Sequence, residues 1–346
     1  MKLFVGIVCA GLAFAQGPRE RTELFGSSGG NIGDRSRIFC CSGTLGGLLQ
    51  GANGNQYILS NNHVAGRSGQ ALPGEIISQP GLIDNGCAAG ETVANFTFAG
   101  NLSTSNVDAA AAQLVPGTMS ATGEQHVIGT TSSVIAPPAI DQAVQKHGRT
   151  TFYTTGTVTS INTTVRVGYP NRCAALSRST TYTFTNQIVI GQEAFSAGGD
   201  SGSMIFTNDA AKNPVGLLFA GSSTSTIANP AAEVLSVLSA GVGTALTYVG
   251  DPVAPLRAVA GPSASEIARA NRVRQLRDRE LMRDEGVLGV GVGRADDRPT
   301  EAVLVIYTDR NRTVNLPDRI DGVRVKRVVS EVFESFGASC CDSCKK

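Results

Sequence analysis

The stretch QEAFSAGGDSGSMIF, residues 192–206, decides how the rest of the chain is read. At its centre Gly198, Gly199, Asp200, Ser201, Gly202 and Ser203 lead into an apolar run. Glycine, serine and aspartate between apolar runs make ordinary turns. The same residues also suit a loop that presents Ser201 as a nucleophile, so the choice depends on partners elsewhere in the chain.

Composition narrows the field. The chain has 346 residues, a formal net charge of +1, a hydrophobic fraction of 41% and no tryptophan. There is room for one large domain and a smaller one, and no charge excess marks a binder of nucleic acid or of acidic substrates. With 41 glycines and frequent β-branched runs, short strands and tight turns are favoured over a helical bundle. An all-β core is expected.

Residues 1–15, MKLFVGIVCAGLAFA, combine one lysine, an apolar run and the small-x-small pattern Ala13-Phe14-Ala15. That is the pattern of an export signal cut before Gln16, which would take the protein to the periplasm or the extracellular space. The run is shorter than the roughly 20 residues of a membrane span, so none is expected in the mature chain. Cys9 would leave with the signal. Cys40, Cys41, Cys87, Cys173, Cys340, Cys341 and Cys344 remain, an odd set from which disulfides form with one thiol left over or paired between chains. Connectivity stays open. The C-x-x-C spacing of Cys341 and Cys344 lacks a second ligand pair, so no metal is expected, and nothing implies an organic cofactor.

Residues 16–37 read as an N-terminal extension and 38–250 as the main domain. Two apolar runs around Asn53-Gly54 form a hairpin, and TVANFTF, VDAAAAQLV, TTGTVTSI, QIVIG, SMIF and VGLLFAG follow at short intervals. Strands spaced this way, with no helical periods between them, indicate a sandwich or barrel. Residues 251–263 have the Pro/Ala/Gly texture of a linker. Beyond it, Ser263 and Glu266 form a capping box for a helix whose Ile267, Ala270, Val273 and Leu276 share an inward stripe. Strands GVLGVGVG, EAVLVIYTD and GVRVKRVVS complete a small α+β domain, 264–336, ahead of the Cys-containing tail 337–346. From Ala264 onward, 16 of the 29 basic residues face 14 acidic ones, which describes a solvated surface without a basic patch.

Only three histidines are available to act as a base for a serine: His63, His126 and His147. His63, in ILSNNHVAG, stands where an apolar strand ends at the rim of a sheet. His147 reads as structural, and His126 has no motif around it. Among the acids, Asp108 in SNVDAAAAQLV is flanked by apolar residues, and a buried carboxylate is costly unless something pairs with it. The ring N–H of His63 would do so, fixing the tautomer of the imidazole.

The order His63, Asp108, Ser201 is that of chymotrypsin-like β-barrel enzymes. SNNHV, NVDAAAA and GGDSGS resemble the three catalytic blocks of that family, and KHGRTTFYTTGTVTSIN resembles a stretch of the bacterial streptogrisin-like proteases. VGLLFAGSS is similar to the strand that lines the specificity pocket. The layout, over roughly 38–250, is similar to bacterial relatives of the plant Narrow-leaf-1 proteins. The resemblance implies two six-stranded barrels, a protein or peptide substrate, Ser201 as nucleophile, His63 as general base and acid, and Asp108 orienting His63. The N–H groups of Gly199 and Ser201 would form an oxyanion hole. Phe195 would floor a pocket walled by Phe219, Ala220 and Gly221, with no acid to hold Lys or Arg, so apolar residues are preferred. Phe219 also stands where many members carry a supporting serine, leaving Asp108 one donor short, and Asp200 needs a partner that the sequence does not name. The alternative is a protease fold used as a weakly active or inactive binding scaffold. The small C-terminal domain would cover the cleft or dock a partner.

Overall fold

The computed structural model describes residues 20–36, 39–173, 178–256 and 261–335. The stretch read as an export signal, part of the expected linker and the Cys tail lie outside the described residues.

The first sheet holds β1 (Ser27–Asn31), β2 (Gly43–Leu45), β3 (Gly47–Gly51), β4 (Gln56–Ser60), β5 (Ile76–Gln79), β6 (Glu91–Ala99) and β7 (Ala110–Leu114). Its order runs β3-β4-β7-β6-β5-β1-β2. Because β2 and β3 are halves of one strand bent at Gly46, the sheet closes on itself as a six-stranded barrel. Residues 27–31, ahead of the main domain in the sequence reading, are a strand of this barrel. The β3–β4 hairpin forms as its turn demands, with Leu48 opposite Ile58 and Gly54 at φ +87, a conformation open to glycine. Alternation sends Leu48 and Ile58 into one apolar cluster and Leu49, Tyr57 and Leu59 into another, so both faces of the hairpin are buried.

The second sheet holds β8 (Ala143–Gly148), β9 (Phe152–Pro170), β10 (Ser179–Ile190), β11 (Met204–Thr207), β12 (Pro214–Gly221) and β13 (Thr226–Pro230). Its order, β10-β13-β12-β11-β8-β9, is closed by pairing of β9 with β10. This is a second six-stranded barrel. Three short or late elements border the pair: α1 (Asn62–Ala65), α2 (Ala231–Val242) and β14 (Leu246–Tyr248), which pairs with β3. The expectation of strands without helices missed α2, whose Ala231, Val234 and Leu238 face the core. Disulfides join Cys40 to Cys87 and Cys41 to Cys173; the second ties the first barrel to the end of β9.

Helix α3 (Ala264–Leu281) starts as the capping box requires, with the Ser263 hydroxyl accepting from the Glu266 N–H at 3.2 Å. The expected inward stripe is corrected at one end, since Leu276 is 72% exposed. At about 100° per residue it lies half a turn away from Ile267, and Arg274 is buried on the inner face instead. Strands β15 (Val287–Arg294), β16 (Ala302–Asp309), β17 (Arg319–Ile320), β18 (Val323–Ser330) and β19 (Phe333–Ser335) follow. β15 pairs with β9, so these strands extend the second sheet. Ala270, Val273, Val292 and Leu304 share one apolar cluster with Val144, Val158 and Ile188 of the barrel.

Candidate active site

His63 sits in α1, immediately after β4, and Asp108 just before β7, which pairs with β4. Adjacent strand ends therefore bring the two side chains together. Asp108 is fully buried and His63 is 7% exposed. The Nδ1–H of His63 donates to Asp108 Oδ2 at 2.5 Å, and the His63 backbone N–H donates to Oδ1 at 3.1 Å. A carboxylate accepts only, so this pairing holds the proton on Nδ1 and leaves Nε2 as the free basic nitrogen. Nε2 is buried and has no hydrogen-bond partner among the described residues.

The missing donor to Asp108 is Tyr169, whose hydroxyl reaches Oδ2 at 2.8 Å from β9 of the other barrel. Its ring also lies edge-on to His63, centroids 5.8 Å apart. Burial and the neighbouring Asp108 charge push the Tyr169 hydroxyl well above its ordinary range, so it stays a donor. Phe219 leaves no gap. The backbone N–H of Asp108 donates to Asn229 Oδ1 at 3.0 Å, and Asn61 Nδ2 donates to the Asp108 carbonyl at 2.6 Å.

Ser201 is fully buried in the loop between β10 and β11. The loop is pressed against the bend of the first barrel: Thr44 N–H donates to the Ser201 carbonyl at 2.8 Å. A Cβ on Gly43 would come within 2.5 Å of Val64 and 2.8 Å of the Ser201 carbonyl, so Ser201 lies one glycine's width from the helix that carries His63. The Ser201 hydroxyl donates to the Phe219 carbonyl at 3.4 Å.

Gly199 and Gly202 have φ of +100 and +93, and a Cβ at Gly199 would meet Thr150 Oγ1 at 2.4 Å. The turn is thus closed to side chains on two counts. Within it, Asp200 N–H donates to Ala197 and Gly202 N–H to Leu218. The N–H groups of Gly199 and Ser201 make no hydrogen bond among the described residues.

Asp200 finds its partners in β8 and the β8–β9 turn. Thr151 Oγ1 donates to it at 2.6 Å, Thr150 N–H at 2.8 Å and Ala197 N–H at 2.9 Å, with Lys146 Nζ 3.6 Å away. Burial holds the Lys146 ammonium below its ordinary range, and the neighbouring Asp200 offsets only part of that. Neither Lys146 nor Tyr169 is signalled in the sequence, although a lysine at a strand position between buried residues was a usable hint.

Two closed barrels with this site in the seam between them make a chymotrypsin-like double barrel. Solved structures similar to the chain are bacterial serine proteases. One is described as a glutamic acid specific serine protease that uses a histidine triad in substrate binding (22% identity, 65% of this chain and 99% of that one, TM-score 0.45). Others are the Nocardiopsis protease NAPase (15% identity, 66% and 99%, TM-score 0.45) and Thermobifida fusca protease A (17%, 65% and 98%, TM-score 0.42). No family model matches the chain, and no curated protein does.

The residues expected at the pocket are closed to solvent. Phe195, 1% exposed, packs in the apolar cluster of the second barrel with Lys146 Nζ 5.7 Å from its ring centre. Phe219 is fully buried against Phe184. Ala220 and Gly221 lie opposite Ser335 and Glu334 of β19. The Nδ1–H of His147 donates to the Gly26 carbonyl at 2.8 Å, and the ring stacks on His126, centroids 5.1 Å apart. Burial pushes both of these imidazoles down. Among the described residues no group of three His, Cys, Asp or Glu is placed to hold a metal, and no helix is long and apolar enough to cross a membrane.

Proposed function

We propose that the protein is an exported serine endopeptidase that hydrolyses peptide bonds through an acyl-enzyme. The observation that supports this reading is the Tyr169–Asp108–His63 chain of hydrogen bonds, which ends in an unpartnered, buried Nε2 on a helix whose Val64 flanks the same Gly43 as the Ser201 carbonyl. A buried nitrogen without a partner is costly, and a nearby hydroxyl that turns to it removes the cost. Ser201 Oγ attacks the scissile carbonyl, and its proton passes to His63 Nε2. Asp108 stabilises the imidazolium, which then protonates the leaving amine; water repeats the sequence on the acyl-enzyme. The N–H groups of Gly199 and Ser201 receive the oxyanion, a contribution of about 3 kcal/mol per donor.

The preference proposed is for apolar residues over Lys or Arg, because none of Phe195, Phe219, Ala220 and Gly221 carries an acid; β19 lies along Ala220 and Gly221, so substrate reaches that edge only when it is vacated. Two disulfides suit an oxidising compartment, in keeping with export. One observation favours the scaffold alternative: the Ser201 hydroxyl is engaged with the Phe219 carbonyl and not with His63. A fluorophosphonate probe separates the two. It should label the wild type and spare Ser201→Ala and His63→Ala; a folded wild type that ignores the probe defeats the peptidase reading. A peptide library cleaved best after Lys or Arg would defeat the apolar preference.

A further inference from the structure

In a trans, planar peptide the N–H points away from the carbonyl, so whatever holds the carbonyl also aims the N–H. The Ser201 N–H shares its plane with the Asp200 carbonyl, which accepts from the Ser203 N–H at 2.9 Å within the turn itself. The neighbouring plane, of the Gly199 carbonyl and the Asp200 N–H, is held from both sides. Thr44 Oγ1 donates to that carbonyl at 2.9 Å, and the N–H reaches the Ala197 carbonyl at 3.0 Å. The plane that carries the Gly199 N–H differs from both. It joins two glycines, Gly198 is exposed, and neither its carbonyl nor its N–H has a backbone partner among the described residues. A peptide between two glycines rotates as a unit with little steric resistance. Half a revolution would put the Gly198 carbonyl where the oxyanion has to go.

A side chain opposes that rotation. Thr150 Oγ1 donates to the Gly198 carbonyl at 2.6 Å. The direction of its proton is set, because the hydroxyl accepts from Arg149 Nη1 at 3.1 Å and a guanidinium only donates. Arg149 is anchored in turn on the first barrel: Nε and Nη2 each donate to the Asp84 carboxylate at 2.7 Å, and Ser28 donates to the same carboxylate. The Thr150 backbone is fixed as well, its N–H donating to Asp200 Oδ1 at 2.8 Å. A Cβ at Gly199 would collide with the Thr150 hydroxyl, so that group lies against the residue whose N–H it aims.

We propose that Thr150 is a positioning residue of the oxyanion hole. Its hydroxyl latches the Gly198–Gly199 peptide with the N–H toward the substrate carbonyl, and the Arg149–Asp84 pair fastens that latch to the first barrel. This rests on the reading of Ser201 as a nucleophile and deepens it. Thr150 acts only through the direction of one N–H, and that N–H matters most when the substrate oxygen becomes an anion. Loss of the latch therefore lowers kcat and leaves KM.

Steady-state kinetics of the full chain on an apolar chromogenic peptide test this. In Thr150→Val and Thr150→Ala kcat should fall about 10- to 100-fold, the upper figure matching the loss of one oxyanion donor, with KM unchanged. Thr150→Ser, which restores the hydroxyl, should restore kcat. A peptidyl trifluoromethyl ketone, whose adduct with Ser201 places an alkoxide in the same hole, should lose affinity by the factor that kcat loses. The rate of labelling by a small fluorophosphonate should follow the same order, and it decides the matter for a wild type whose cleft β19 keeps closed to peptides. Wild-type rates in the Val and Ala variants, or a loss that Thr150→Ser does not repair, would overturn this inference and leave the peptidase reading standing. A folded wild type that neither cleaves peptide nor takes the fluorophosphonate overturns both.

Discussion

Tyr169 shows what one residue contributes. Its hydroxyl is the third donor to a fully buried carboxylate, and the ring on which it sits is packed among Tyr182 and Phe184. Tyr169→Phe should keep the fold, because the ring stays. A hydrogen bond to a charged group is worth about 1.5–3 kcal/mol, so kcat should fall about tenfold or more with KM little changed, read from steady-state kinetics on an apolar peptide. The sequence held the His63–Asp108 pair plainly, since each lies at the end of a strand paired to the other. It could not show Tyr169, which is 61 residues from Asp108 and in the other barrel. Asp34 offers a second test at this scale. Burial pushes its carboxyl up to about 6 from 3.8, against the pull of His63 and Arg67. Between those values the folded chain holds a proton that the unfolded chain has lost, so this group makes stability fall as pH rises through that window. Above it the cost of the buried charge is complete. Asp34→Asn should therefore melt higher than wild type at pH 7 and close to it at pH 4, as thermal unfolding at the two pH values would show.

At the scale of elements, the Ser201 loop was legible because its chemistry is local: only glycine tolerates the backbone at 199 and 202. Gly202 is the stricter of the two, since a Cβ there would meet the Thr44 carbonyl at 2.2 Å and Ser60 Oγ at 2.5 Å. Gly202→Ala must therefore displace the loop from the first barrel as well as bear the left-handed strain of about 1–2 kcal/mol. Its urea midpoint should drop, and probe labelling of Ser201 should fall below a tenth of wild type. Helices were harder to read. The capping box found the start of α3 to the residue, yet Leu276 was assigned to the core because apolar character was weighed above angle. Arg274 is accepted inside because its guanidinium reaches Thr164 at 3.1 Å and Asp278 at 3.6 Å. In α2 the apolar residues Ala231, Val234, Leu235 and Leu238 do recur at helical spacing, a period passed over between two strand-like runs.

For the whole molecule, the spacing of short strands indicated a sandwich or barrel, and the closure of two barrels depends on long-range pairings that no local pattern encodes. The linker texture likewise suggested a separate small C-terminal domain, and the strand seam between β15 and β9 joins its strands to the second sheet. Gly291 is where the seam is tightest. It falls at the register shift between Val290 and Val292, and a Cβ there would come within 2.3 Å of Thr163 Oγ1. Gly291→Val should therefore strain the junction by about 1–3 kcal/mol, the usual cost of overpacking. Because α3 and the late strands share an apolar cluster with the second barrel, the strain is felt by both. Denaturant unfolding followed by circular dichroism should show one transition in the wild type and the same single transition at lower urea in Gly291→Val. Amide exchange in 264–335 should rise together with exchange in β9 and β8. Faster exchange confined to 264–335, with β8 and β9 unchanged, would mean that the seam does not join the two parts into one cooperative body.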